Sequence, residues 1–373
     1  MSLFPLAIIT IFLQVQIGLP PDQILMIQAV KSTVSALFEF PAGWLADRIG
    51  YKKTFILGAA ALTTCWSLYS FADSFPAVLV ADIFLGIGWS FIYGTDSALL
   101  YESLANLDRT DELSKWSGKV SFWGQITEGS CALSAGILYA IDPYLPFIVQ
   151  AFLSLGNLLL ALLITEPSRQ KSVRKDKFRE MVDLLKLTFM KSPLLRYSTL
   201  LFIVLGVASY LQVWNIQQYA KESGVSSVAL GINWALANLF VAMGSILSHR
   251  IEKRLGVFRA LALCIIFLSI GYSGLFLLPG AIGFVFYYFL TFERGVNHPI
   301  LNSLKQGVIP SENRAGILSI ANFSFRLSFA AICPIAGWLI KEYGFQNFFG
   351  IIGCFFIISS VFLLVKLKRH LAL

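Results

Sequence analysis

Apolar runs broken by short polar turns recur along the whole chain. A helix needs about 20 apolar residues to cross about 30 Å of hydrocarbon. Twelve stretches meet or approach that length: 3–18, 24–46, 54–72, 78–100, 118–140, 146–165, 197–217, 228–249, 257–278, 281–302, 315–339 and 346–365. The connections are short except 101–117 and 166–196. The second of these divides six spans from six. The pattern therefore predicts an all-α polytopic membrane protein with a six-helix bundle over 1–165, a cytoplasmic linker over 166–196 and a second six-helix bundle over 197–373. Within the linker, Phe178, Met181, Val182, Leu184, Leu185 and Leu187 are spaced as the apolar side of an amphipathic helix over 178–190. That helix either lies on anionic headgroups or serves regulation or a partner.

Composition agrees with the pattern. The chain is 57% hydrophobic and 13% charged, where a soluble domain carries about 25% charged residues. A soluble enzyme, a disordered chain and a nucleic-acid-binding module are poor fits. The net charge of +8 is a matter of placement. With the N-terminus inside, 23 of the 29 Lys and Arg fall on inner segments, counting Arg259 at the inner edge of the ninth span, and two, Lys221 and Lys341, on outer ones. Lys31, Lys119, Arg294 and Arg326 lie within spans. This positive-inside bias puts both termini on the cytoplasmic side of the cell membrane and leaves nucleic acid nothing to explain.

The five cysteines all lie in spans without a close pair, and the three histidines are scattered. No disulfide, metal site or cofactor is expected. There is no phosphate-binding loop and no nucleophile elbow, so an enzyme is not expected.

Gly43-Trp-Leu-Ala-Asp47-Arg48-Ile-Gly50-Tyr-Lys52-Lys53 closes the second span, and Ser245-Ile-Leu-Ser-His249-Arg250-Ile-Glu-Lys253-Arg254-Leu-Gly256 closes the eighth. Such an echo between halves points to a secondary transporter with two pseudo-symmetric bundles. The first of these stretches resembles the signature of the major facilitator superfamily, G-x-x-x-D-R-x-G-R-K/R. Gly43, Asp47, Arg48, Gly50 and Lys52 match it, and Tyr51 departs from it. The stretches Phe38–Gly43, Gly94–Leu104 and Arg314–Ser319 resemble a bacterial branch of the same family. The resemblance begins part-way along the first helix, so a shortened first span, missing its cytoplasmic start, is expected. A Gly-Pro pair in the fifth span, common among the family's drug antiporters, is not present.

The resemblance implies roles. Asp47 would meet the start of the eleventh helix near Ala315–Leu318, where the helix dipole favours an anion. Arg48 or Lys52 would pair with Asp96 or Glu102 at the end of the fourth. These contacts would gate the cytoplasmic side. Gly43 would let two helices approach closely. The basic residues could equally serve orientation alone.

Charges inside the bilayer cost roughly 2.5–3.5 kcal/mol each on insertion scales, so each is a candidate. Arg294, His298 and Asn302 follow i, i+4, i+8 spacing and share a helical face, bordered by Tyr287. The family's tenth helix lines a central cavity. The stripe could therefore contact substrate, with Arg294 suited to a carboxylate or phosphate. Arg326 is a further cavity candidate; alternatively, Arg294 or Arg326 forms a structural ion pair with Glu128 or Glu39. Trp214, Gln217 and Asn238 are further cavity candidates, and the tryptophans Trp214 and Trp234 could instead anchor the interface. Glu128 is the leading proton-coupling candidate, followed by Asp82 and His298.

The expected function is secondary active transport of a small organic solute by alternating access, proton-coupled and outward, by a monomer drawing on the proton gradient. A uniporter or substrate antiporter of the same fold is the alternative. A non-transporting membrane sensor or assembly partner is the alternative from another class.

Overall fold

The computed structural model describes residues 4–93, 95–109, 112–167, 177–278, 280–308 and 314–370. No strand occurs among them. The first span is three short turns, a 3-10 turn Phe4–Ala7, α1 Ile9–Ile11 and a π turn Phe12–Gln16. There follow α2 Pro21–Ile49, α3 Tyr51–Tyr69, α4 Phe75–Tyr93, α5 Asp96–Ala105, α6 Leu113–Ile141 and α7 Leu145–Leu163. Next come α8 Lys177–Lys186, α9 Pro193–Glu222 and α10 Ser227–Leu277. The chain ends with α11 Gly280–Val285, α12 Tyr287–Val308 and α13 Arg314–Lys368.

The two longest helices each carry two spans. α10 breaks its helical dihedrals at Gly256 (φ 76°) and α13 at Gly344 (φ 76°). Both breaks fall at gaps that the apolar pattern leaves between spans. The tenth span is broken too, since α11 ends at Val285, before α12 begins at Tyr287.

The residues group into two compact units: Met1–Arg174 with Ser227–Trp234, and Lys175–Ser226 with Ala235–Leu373. In the first unit, an aromatic cluster of Phe12, Trp66, Tyr69 and Phe147 forms the core. Phe12 and Phe147 ring centroids lie 4.2 Å apart, and Tyr69 stacks on Phe147 at 5.3 Å. Small residues let the backbones close in. A Cβ added at Gly58 would lie 3.1 Å from the Gly88 carbonyl oxygen, so α3 and α4 touch there. The Ser90 hydroxyl on α4 donates to the Ser35 carbonyl of α2 at 2.9 Å.

In the second unit, α10 and α12 meet at Gly244 and Gly295. A Cβ at Gly244 would stand 3.2 Å from the Gly295 Cα, and one at Gly295 would run into the Val241 carbonyl. The linker helix α8 belongs to this unit. Leu184, with Leu187 of the turn that follows, packs on the buried Leu195 and Ile317. Leu184 and Leu187 of the apolar side therefore pack against α9 and α13. Four cysteines are buried free thiols, but Cys354 is exposed.

Candidate functional site

The motif closing α2 forms a tight turn. Gly50 takes φ 106°, which favours glycine. The carboxylate of Glu166, just beyond α7, accepts from the Tyr51 N–H at 2.8 Å and the Lys52 N–H at 2.6 Å. A Cβ on Gly50 would sit 2.7 Å from Glu166 Oε1, so the glycine also makes room for the cap. An anion at a helix start satisfies unpaired N–H groups and faces the positive dipole end. Read from sequence as the start of a linker, Glu166 is the acid that meets this turn.

Arg48 is exposed and lies 4.1 Å over the Trp44 ring. Asp47 is exposed, and Asp96 opens α5 with Glu102 further along it. Among the described residues, a Cβ at Gly43 would meet nothing within 4 Å. The Ala315 side chain lies outside the described residues. At the start of α6, hydrogen bonds from Arg109 hold the Glu112 carboxyl below the usual range.

Asp82 on α4 is fully buried and anchors a polar knot. The Tyr69 hydroxyl donates to Asp82 Oδ2 at 2.5 Å, and Lys31 Nζ lies 4.0 Å from Oδ1. Lys31 also donates to Gln28 one turn earlier on α2. Three helices are tied by one carboxylate. Glu128, the leading proton-coupling candidate from sequence, is half-buried in the middle of α6. Lys119 of the same helix lies 4.6 Å from the Trp116 ring, and both line a groove of about 820 Å³ along α6 and α7.

In the second unit, α12 presents two unlike faces. Arg294 and Asn302 are half-buried and His298 exposed, and an amide-to-imidazole contact of 3.2 Å joins Asn302 to His298. The i, i+4, i+8 stripe thus exists as an accessible face. Tyr287, a cavity candidate, is buried. On the other side of α12, Glu293 is fully buried. Its Oε1 accepts from Asn297 Nδ2 at 2.5 Å, while Oε2 has no hydrogen-bond partner among the described residues. The i, i+4 spacing of Glu293 and Asn297 was the available sequence signal.

Lys305 extends the stripe at i+11 from Arg294. It is fully buried, with its ammonium 3.9 Å from the Phe202 ring of α9. Counting it among the basic residues that only set orientation missed this. Phe202 also faces the His298 ring at 5.5 Å. One and two turns on from Phe202, Gly206 and Tyr210 line α9 against Phe325 of α13. The Tyr210 and Phe325 rings are 5.8 Å apart, and a Cβ at Gly206 would be 3.0 Å from Phe325. Arg326 is the next residue on α13. Trp214, Gln217 and Trp234 are buried, so neither tryptophan is an exposed interface anchor. Asn238 is half-buried on α10. Among the described residues, no group of three or more His, Cys, Asp or Glu could hold a metal ion.

Among the described residues, five stretches of helix are long and apolar enough to cross a membrane. Two of them, Ala229–Leu277 and Gly316–Lys368, have 49 and 53 residues, long enough to cross twice. Two Bacillus subtilis (strain 168) proteins, both described as uncharacterized MFS-type transporters, are similar in sequence. YceJ is 24% identical over 318 residues, covering 82% of this chain and 77% of its own. YxaM is 25% identical over 358 residues, covering 92% and 84%. In fold, the chain is similar to the nucleoside transporter NupG at a TM-score of 0.79 and 12% identity, covering 97% of this chain and 94% of NupG. It is likewise similar to a D-xylose-proton symporter at 0.73 and 14% identity, covering 96% and 92%. The model of the Major Facilitator Superfamily matches residues 1–332. This multi-pass helical chain, with its Gly43–Lys53 motif, belongs to the Major Facilitator Superfamily of secondary transporters and is not an enzyme.

Proposed function

We propose that the chain moves a small organic solute outward across the cell membrane by alternating access, coupled to inward proton movement, as a monomer with cytoplasmic termini. The observation that carries the coupling is on α12. Glu293 is fully buried in the tenth span, with one carboxylate oxygen lacking a hydrogen-bond partner among the described residues, back to back with the accessible face of Arg294, His298 and Asn302. A proton-bearing group and a solute-contacting face on one helix move as one body, which is the mechanical requirement for coupling. A bare carboxylate in hydrocarbon is costly, so gain and loss of a proton is an economical way for Glu293 to differ between states. Glu128, half-buried in the middle of α6, is the second candidate. The basic inner segments support the orientation.

Proteoliposomes holding a pH-sensitive dye test the coupling. Solutes added from a panel are expected to dissipate an imposed pH gradient, and a protonophore is expected to abolish accumulation. Glu293→Gln should remove the gradient dependence while leaving solute counterflow. Undiminished gradient-driven accumulation in both Glu293→Gln and Glu128→Gln would reject the coupling assignment. Counterflow indifferent to pH would favour a uniporter or substrate antiporter, and specific binding without flux a sensor.

A further inference from the structure

We infer that a file of internal water molecules runs along α9 from its outer end to Glu293 and brings that carboxyl its proton from the outer solution. The inference rests on the coupling and orientation proposed above and adds the route. All of its residues lie within the second unit.

The first ground is a stripe. From the outer end of α9 inward, Glu222, Gln218, Asn215 and Gln212 are spaced four, three and three residues apart, so all four share one side of the helix. Glu222 is exposed, and the three amides are fully buried. The stripe therefore starts at the surface and reaches inward by about 15 Å at 1.5 Å per residue, about half of a 30 Å hydrocarbon core.

The second ground is the pairing of those amides. Among the described residues, Gln218 Oε1, Gln212 Oε1 and both polar atoms of Asn215 have no hydrogen-bond partner. The remaining amide groups are committed elsewhere. Gln218 Nε2 donates to the Trp214 carbonyl oxygen of its own helix at 3.4 Å, and Gln212 Nε2 donates to the Tyr272 hydroxyl at 2.8 Å. Buried polar groups are hydrogen-bonded as a rule, and water supplies both donors and acceptors. Successive amides rise about 4.5 Å along the axis, and one water making two hydrogen bonds of about 2.8 Å reaches across such a gap. Polar partners repeated at this spacing are the setting that holds buried water.

The third ground is where the stripe ends. The Tyr272 hydroxyl of α10, which accepts from Gln212, donates to the Ala208 carbonyl oxygen at 2.7 Å. Its neighbour Gly271 closes on α12, since an added Cβ would run into the Leu290 side chain. Glu293 is one turn on from Leu290, and Phe292 beside it meets Phe267 of α10 with ring centroids 5.2 Å apart. The inner end of the stripe thus stands at the turn of α12 that carries Glu293, whose Oε2 has no hydrogen-bond partner among the described residues. In the proposed step the water beside Glu293 gives up a proton and an O–H bond forms at Oε2. That water takes a proton from the next in the file, and the outermost water is restored from solution.

The test uses the purified full chain in detergent without solute. Infrared spectra in heavy water follow the protonated-carboxyl band that Glu293→Gln removes, and radiolytic hydroxyl labelling reports water held beside Tyr272. Tyr272, although buried, should label as an exposed tyrosine does. In Asn215→Leu that labelling should drop, and deuterium exchange at Glu293 should slow by about tenfold, the scale of one lost hydrogen bond. Asn215→Ser keeps a hydroxyl for water and should exchange at close to the original rate. If Asn215→Leu does not fold, Gln218→Leu nearer the outer end gives the same reading. Tyr272 left unlabelled, or Glu293 exchange unchanged in the leucine variants, would overturn the inference. A Glu293 that carries no proton at any pH, with Tyr272 labelled and that labelling lost in Asn215→Leu, would defeat the coupling reading and leave the water file standing.

Discussion

The two units bury charge in opposite ways. In the first, Asp82 is sealed at the junction of α2, α3 and α4, with Lys31 and Tyr69 around it. In the second, Arg294 stands half-buried on α12 with no carboxylate within salt-bridge distance among the described residues, and Lys305 is buried against a ring. Both sets carry the insertion cost of intramembrane charge. The Asp82 knot returns it as architecture, because the charges are partnered and joined to several helices. The α12 stripe does not, so its charges are available to something that binds. Partnership, rather than presence in a span, separates a structural charge from a functional one.

The largest effect should come from the knot. Asp82→Ala leaves Lys31 without its counter-charge, and breaking a buried pair costs about 3–5 kcal/mol. Thermal unfolding in detergent should fall accordingly, and Asp82→Leu combined with Lys31→Met should recover most of it. Full stability in Asp82→Ala alone would mean the pair holds nothing.

One residue from the stripe, Gly295→Leu should force α12 away from the Val241 carbonyl, an overpacking cost of about 1–3 kcal/mol. The same assay reads it, and an unchanged unfolding temperature would contradict the close crossing.

Two turns that echo each other sharpen the contrast further. Gly50→Ala meets both a left-handed backbone and the Glu166 carboxylate, for about 1–3 kcal/mol. Gly256→Ala meets only the backbone term, since nothing lies within 4 Å of its Cβ. Gly50→Ala should therefore be the more destabilising of the two, and Glu166→Ala should narrow the gap. Equal losses would show that the cap contributes little.

The smallest stability change should belong to Arg294→Gln, within about 0.5 kcal/mol as for an accessible position. Its effect should instead appear in solute binding. A large loss of unfolding temperature here would return Arg294 to the structural class and erase the contrast between the units.

Much of the fold was legible because hydrophobic run length is a local property. The breaks at Gly256 and Gly344 fall in gaps between apolar runs, and the helical spacing of Arg294, His298 and Asn302 foretold a shared accessible face. Partners were not legible. Asp82 and Lys31 are 51 positions apart, and nothing in either neighbourhood announces the other. Glu166 read as the opening of a linker because its receptors, two backbone N–H groups over 110 residues earlier, leave no side-chain signature. Lys305 read as an orientation charge because position relative to a span says nothing of burial. Glu293 stood unnoticed beside a more conspicuous arginine.

The sequence alone determined class and the placing of the apolar runs, since these follow from the cost of putting polar and charged groups into hydrocarbon, residue by residue. Only the tertiary structure decided which charges are partnered across helices and which are not. That distinction depends on side chains brought within a few ångströms across separate helices, where pairing either cancels a charge or leaves it.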